Sequence, residues 1–372
     1  MRSAKRNGKA GNAPAPAEPT TVILCFEPGA GPEAARRALK ALGLPGVPDN
    51  RSRWFEPGLL TIRADGAVPR EIQERLAALP GVRRVSAMPA GHRLVTHAFA
   101  RADAAVALAG GAAVGDGTLT LIAGPCSVES KSQICGIAAQ VKAAGARVLR
   151  GGVFKPRTSP YSFGGIAERG LEFLACAREK TGLPFVTEAL DASQFDLVAR
   201  YADMIQIGSR NMSNFPLLFK AGAHPAGKPI LLKRGFFSTV EEYLDAAEYV
   251  LLGRMLAGAD RPGLILCERG IRTFETSTRF TLDVAAIPIL QECSRLPVIA
   301  DPSHAAGNRK WVPHLARAAA AAGADGLIIE VHTRPDRAWC DGDQTITPEQ
   351  LRVLMGEMTA LAPFVPAPRG SA

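Results

Sequence analysis

From residue 119 onward, short apolar runs alternate with longer amphipathic stretches, and polar or Gly/Pro turns separate them. The runs are LTLIAG from 119, RVLRGG from 147, PFVTEA from 184, MIQIG from 204, PILLK from 229, LILCE from 264, PVIAD from 297 and GLIIEV from 326. Such near-continuous apolar runs, each followed by helical spacing, are how the strands of a parallel sheet read when both their faces are covered. Eight strand-then-helix units predict a (β/α)8 barrel, whose packed interior is made by the strands and whose chemistry lies beyond their carboxyl ends. An open doubly wound sheet is the competing arrangement, but no GxGxxG follows a first strand to hold a dinucleotide.

Upstream the periodicity differs. TTVILCF at 20–26 alternates as a strand, and PEAARRALKALG after it has helical spacing. LLTIRA at 59–64, VPREIQERLAALPG at 68–81 and VRRVSAM at 82–88 repeat the cycle as strand, helix and strand. A small α+β sandwich, two helices on a short antiparallel sheet, is the expected product. The organisation read from sequence is a basic tail at 1–18, the small domain at 19–90, an extended link at 91–117, the barrel at 118–360 and a flexible end at 361–372.

A chain of 372 residues with 47% hydrophobic side chains can bury one large core and one smaller one. Its formal charge of +9 invites a nucleic-acid reading. Arg2, Lys5, Arg6 and Lys9, however, crowd a Gly/Pro/Ala-rich tail that cannot pack a core, and no stripe of interleaved aromatic and basic residues follows. The seven cysteines leave one over in any full disulfide scheme and form no CxxC pair, which favours a reducing compartment. No run is long and uncharged enough for a membrane helix, and no signal-peptide core opens the chain, so the expected location is the cytoplasm.

The residues that close the predicted strands are chemically similar. Cys126 follows the first, Lys155 and Arg157 the second, Glu188 ends the third, Gln206 and Arg210 close the fourth, and Lys233 ends the fifth. Glu268 and Arg269 follow on the sixth, Asp301 and His304 on the seventh, and Glu330 on the eighth. In a barrel all of these meet at one rim. Converging Lys and Arg there imply polyanionic ligands, and acids beside Cys126 and His304 imply a metal or proton transfer. Cys126, His304, Glu330 and Asp341 could make a mixed S/N/O site for a borderline divalent ion. Read singly, a Cys in a GPCS turn is a small packed residue and a lone His a hydrogen-bonded one; the shared rim favours ligation.

The segments GPCSVES, LRGGVFKPRTSPYSFGG, VTEAL, IQIGSRNMSNFPLL, PILLKRGF, LCERGIRTFE, ADPSHAAG and IIEVH with the later DGDQ resemble, in order over residues 117–358, type I 3-deoxy-D-arabino-heptulosonate 7-phosphate (DAHP) synthases. The likeness is to the branch related to 3-deoxy-D-manno-octulosonate 8-phosphate synthase, and the small domain is similar to the ferredoxin-like extension of that branch. The resemblance implies condensation of phosphoenolpyruvate with erythrose 4-phosphate, the first step of the shikimate pathway. It places Cys126, His304, Glu330 and Asp341 on the positions of four metal ligands for one divalent ion per subunit, Mn, Fe, Co or Zn.

By the same resemblance Arg210 and Arg269 look like phosphate contacts of phosphoenolpyruvate, and Lys155 and Lys233 contacts to its carboxylate or bridging oxygen. Glu268 in CERG is a further acid candidate, either a substrate contact or a buried carboxylate that orients an arginine. Arg157 and Thr158 are similar to the pair that approaches the sugar phosphate. Glu188 lies near the attacking water, and Asp301 near the aldehyde and the metal. Ser209 in GSRN replaces the commoner alanine. KPRTSPYSF, in place of a KANRSS-like segment, argues against arabinose 5-phosphate as the sugar. An aromatic amino acid or later pathway product as effector of the small domain, and a homotetramer, are further implications of the likeness. Nucleic acid and membrane are not expected partners.

Overall fold

The computed structural model describes residues 20–30, 32–41, 52–55, 58–64, 67–89, 94–97, 105–156, 159–259 and 261–365. The chain divides into two compact units, residues 1–92 and 93–372. In the first, β1 (Thr20–Phe26), α1 (Pro32–Ala41), β2 (Ser52–Phe55), β3 (Leu59–Ala64), α2 (Arg70–Ala77) and β4 (Val82–Pro89) follow one another. This βαββαβ order is that of a ferredoxin-like fold. The antiparallel sheet runs β2-β3-β1-β4, with Val22 opposite both Ile62 and Ala87. Alternation puts Val22, Leu24 and Phe26 on one face, where they bury with Leu60, Ile62, Leu39 and Leu76. Sequence periodicity shows three of these four strands; β2 is a four-residue edge strand, too short to carry a period.

In the second unit, the described part of the expected extended link carries structure of its own. β5 (Val106–Ala107) pairs antiparallel with β6 (Ala113–Val114), and Gly110 and Gly111, both at positive φ, turn the chain between them. Strands of two residues have no periodicity to read. Their side chains Val106 and Val114 join an apolar cluster with residues from every barrel strand, among them Ile122, Val148, Leu231 and Ile328.

That barrel is closed and parallel throughout: β7 (Thr120–Gly124), β8 (Val148–Arg150), β9 (Phe185–Glu188), β10 (Met204–Ile207), β11 (Ile230–Lys233), β12 (Leu264–Glu268), β13 (Val298–Ala300) and β14 (Gly326–Glu330). β14 returns to β7 in register, from Gly326 opposite Thr120 to Glu330 opposite Gly124. Helices α3 (Lys131–Ala143), α4 (Glu168–Thr181), α5 (Ala192–Tyr201), α6 (Phe215–Ala223), α7 (Val240–Leu256) and α8 (Ala286–Cys293) form the crossovers as far as β13. A short α9 (Pro302–Ala306) and α10 (Val312–Ala321) precede β14, and α11 (Pro348–Leu361) follows it. Local chemistry starts these helices cleanly: Ser130, Asp191 and Asn214 cap α3, α5 and α6, and Thr239 with Glu242 and Thr347 with Gln350 make capping boxes. Among the described residues no helix is long and apolar enough to cross a membrane.

Candidate active site and metal centre

Inward-facing positions on a strand recur every second residue, so each strand that places one side chain in the apolar cluster places another one step further along the barrel axis. The pairs are Val148 and Arg150, Val186 and Glu188, Met204 and Gln206, Leu231 and Lys233, Cys267 and Arg269, Ile299 and Asp301, and Ile328 and Glu330. Two residues of travel thus exchange an apolar layer for a layer of charge. On β7 the corresponding step is Ile122 to Gly124, where a Cβ would collide with the Arg150 carbonyl oxygen; only glycine lets the two strand ends approach so closely.

One side of the mouth is cationic. Lys155, Arg210, Lys233 and Arg269 line a cavity of about 300 Å³ together with Glu188 and Gln206. Phe236 lies 5.7 Å from Arg210 and 5.0 Å from Arg269 by its ring centre, and Phe280, stacked on it, lies nearer still to Arg269 at 4.0 Å. Burial pushes Arg269 down to about 10, which still leaves it charged at neutral pH. Gln206 donates to Glu188 Oε2 at 3.0 Å, and Gly208 has no Cβ where one would strike Glu188 Oε1. Those two neighbours hold the carboxylate at the cavity wall.

The other side holds the metal-type donors. Cys126 Sγ lies 3.2 Å from Asp341 Oδ2, and His304 Nε2 lies 3.6 Å from Glu330 Oε1. Asp341 joins both groups, one with Cys126 and Cys340 and one with His304 and Glu330, the donor atoms within each lying within 4.8 Å of one another. Asp301 Oδ1 caps α9 by accepting from the His304 backbone N–H at 2.9 Å. Its Oδ2 lies 2.8 Å from His304 Nδ1, without hydrogen-bond alignment, and pairs with the buried Lys233 ammonium. With Nδ1 beside Asp301, Nε2 faces Glu330.

Ionisation of the imidazole and the two carboxylates, though not of the Cys126 thiol, agrees with such a centre. Burial drives the His304 imidazole below its ordinary value despite Asp301, giving the neutral ring that a metal requires. Burial alone would raise the Glu330 and Asp341 carboxyls, but His304 beside both, with Arg150 acting on Glu330 and Lys155 on Asp341, holds them below the usual range. Burial pushes the Cys126 thiol well up, Cys340 and Glu330 add to this, and Lys155, whose Nζ donates to Cys126 Sγ at 2.9 Å, opposes it. A cysteine from the end of β7, an imidazole from beyond β13 and two carboxylates from the end of β14 and the loop after it suit one divalent ion of borderline softness, which would displace the thiol proton.

The structure places most of the sequence-derived site residues around this mouth, and one elsewhere. Glu268 does not line the cavity. It is fully buried and accepts from Arg234 at 2.9 Å and from the Gly270 backbone N–H at 2.6 Å, the placement of a carboxylate that orients an arginine at the β11 and β12 ends. Its position one residue before Arg269 flips it to the outer face of the strand, because strand side chains alternate. Arg157 and Thr158 lie outside the described residues.

Sequence reasoning overlooked Arg150, Cys340, Arg279 and Gln344. Arg150 pairs with Glu330 at 3.0 Å, and its buried Nε and NH1 have no hydrogen-bond partner among the described residues. The signal was present as the residue two after Val148 in RVLRGG. Cys340 Sγ lies 2.9 Å from Cys126 Sγ, and all seven cysteines are free.

Residues 100–362 match the DAHP synthetase I family. The phospho-2-dehydro-3-deoxyheptonate aldolase of Thermotoga maritima is 43% identical over 341 residues, covering 92% of this chain and 98% of its own length. The 2-dehydro-3-deoxyphosphooctonate aldolase of Syntrophotalea carbinolica is 33% identical over 269 residues, 68% of this chain and 93% of the relative. The crystal structure of the Thermotoga maritima DAHP synthase superposes with a TM-score of 0.71 at 41% identity, over 93% of this chain and 98% of that one. A truncated form of that enzyme gives 0.66 at 47% identity, over 73% of this chain and 96% of that one.

Proposed function

The chain belongs to the DAHP synthetase I family and is a metal-dependent DAHP synthase, and from that premise we propose how its residues condense phosphoenolpyruvate with D-erythrose 4-phosphate and water to DAHP and phosphate. The observation that carries this reading is the sharing of one mouth by a cationic wall and an S/N/O donor set.

Arg210 and Arg269 take the phosphate of phosphoenolpyruvate, since guanidinium forks match its oxygens and the rings of Phe236 and Phe280 lie against them. Lys155 and Lys233, both in the cavity wall, take the carboxylate. Arg157 and Thr158 meet the sugar phosphate. Cys126, His304, Glu330 and Asp341 hold the divalent ion, which when bound supplies Lewis-acid polarisation of the aldehyde oxygen. C3 of phosphoenolpyruvate then forms the new bond to the aldehyde carbon, and electron demand appears at C2. Glu188, held by Gln206, orients the water that attacks C2 and takes its proton. The former aldehyde oxygen takes up a proton to become a hydroxyl, and the phosphohemiketal loses its own hydroxyl proton as its C–O bond to phosphate breaks, which releases phosphate and leaves the 2-oxo acid. Holding two anions against this many cations offsets their mutual repulsion and turns a two-body encounter into a local one.

Around this centre the family likeness supports a homotetramer in the cytoplasm, with residues 19–90 binding an aromatic amino acid or later pathway product. Light scattering across protein concentrations and rates with added tyrosine or phenylalanine test those two points. The central test strips divalent ions with a chelator and follows phosphoenolpyruvate loss with erythrose 4-phosphate or arabinose 5-phosphate, before and after Mn2+ is restored. Turnover should vanish, return with Mn2+, and favour the four-carbon sugar. Full activity in verified metal-free protein overturns the metal role, and preference for the five-carbon sugar assigns the eight-carbon reaction.

A further inference from the structure

Resting on the metal centre proposed above, we infer that Gln344 and Arg279 form a positioning pair that sets the orientation of Glu330 and so the affinity of the cluster for its ion. Gln344 is 2% exposed and lies in the turn directly after Asp341. Its Nε2 donates to Glu330 Oε2 at 2.7 Å, and its Oε1 accepts from Arg279 NH1 at 2.9 Å. A carboxylate only accepts and a guanidinium only donates, so the partners fix which way the amide points.

Glu330 is held from both ends. Its Oε1 takes Arg150 at 3.0 Å and faces His304, while Oε2 takes Gln344. A carboxylate buried this completely keeps one orientation only while each oxygen has a donor. Arg279 in turn is tied to a different loop: its backbone N–H donates to Ala306 O at 3.2 Å, and Gly307 leaves no Cβ where one would meet its own. Its side chain is 41% exposed, lines the cavity and lies 3.8 Å from Asp341 Oδ1. The pair therefore connects a cation at the open mouth to a carboxylate ligand at the back of it, through one amide. Gln344 acts through Glu330, whereas Arg279 acts through Gln344 and also faces Asp341 Oδ1 directly, which is why the amide carries the larger expected effect.

The test uses the full chain, stripped and then titrated with Mn2+ against a competing chelator, with unfolding midpoints of the metal-free proteins measured alongside. Gln344→Met keeps the side-chain length without polar atoms, and Gln344→Asn keeps the amide but falls one methylene short. Both should weaken Mn2+ about ten- to a hundredfold, the usual cost of losing a group that orients a ligand, and Arg279→Met should cost about a few-fold. The metal-free midpoint should stay in place in at least one Gln344 variant, because a residue that only packs the turn would move the midpoint and spare the affinity. Wild-type affinity in both Gln344 variants, or losses that follow the metal-free midpoint in both, overturns the pair and leaves the metal centre standing. Failure of the unsubstituted protein to take up stoichiometric Mn2+ overturns the metal centre and the pair together.

Discussion

The two ends of the barrel are built from the same strands, two residues apart, and they obey different rules. At the starting end Val106 and Val114 of the hairpin cover Ile122, Val148, Leu231 and Ile328, all buried and all apolar. Thr120 ties this floor to the hairpin through its hydroxyl, which donates to Ala113 O at 2.6 Å. At the finishing end Arg150, Lys233, Asp301 and Glu330 are equally buried but charged, and each is held by a charge from another strand. Burial is therefore not what separates scaffold from site here. The floor gains stability by removing apolar area from water, at about 1.5–3 kcal/mol for each large side chain. The mouth spends desolvation to hold charges at fixed positions, which stabilises the fold little and prepares electrostatics for chemistry.

Substitutions at the two ends should separate these roles. The largest effect belongs to the mouth. His304→Ala removes a ligand while leaving the floor intact, and a lost Lewis acid of several kcal/mol lowers turnover by about three decades. Metal analysis and single-turnover rates check this, with the metal-free unfolding midpoint expected to stay near that of the parent. An unchanged metal content would merge the two ends into one scaffold.

The floor should show the reverse. Ile328→Ala opens a cavity among fully buried neighbours and should cost about 2–5 kcal/mol by denaturant titration, with metal stoichiometry and turnover of the folded fraction retained. Loss of metal in that variant would mean that Glu330, two residues on, depends on the floor for its position. The smallest expected effect sharpens the picture within the mouth. Phe236→Leu removes the ring at Arg210, worth about 0.5–1 kcal/mol, while Arg269 keeps Phe280, so KM for phosphoenolpyruvate should rise about two- to fivefold at nearly constant kcat.

The barrel was legible because its eight strands are buried on both faces and so carry runs such as ILLK and GLIIE that need no partner to be recognised. The strand-end residues were legible for a related reason: a residue at the carboxyl end of a barrel strand reaches the mouth whichever strand bears it. Glu268 shows where that reasoning stops, since facing in or out depends on register, and one residue before Arg269 the carboxylate lies buried against Arg234. The four-residue β2 and the two-residue β5 and β6 left no period, and only their pairing partners define them.

What the sequence determined alone was the βα count, the donor types and their place at strand ends, because periodicity and residue chemistry are local properties. What only the tertiary structure decided was which donors meet. Gln344 and Arg279 lie 65 residues apart and Arg150 and Glu330 180 apart, and nothing in the spacing of either pair predicts contact. Closure of β14 onto β7 and the return of the Asp341 turn over the mouth bring them within hydrogen-bond reach. Hydrogen bonds and ion pairs are short-ranged and directional, so they follow from the closed barrel and cannot be read before it exists.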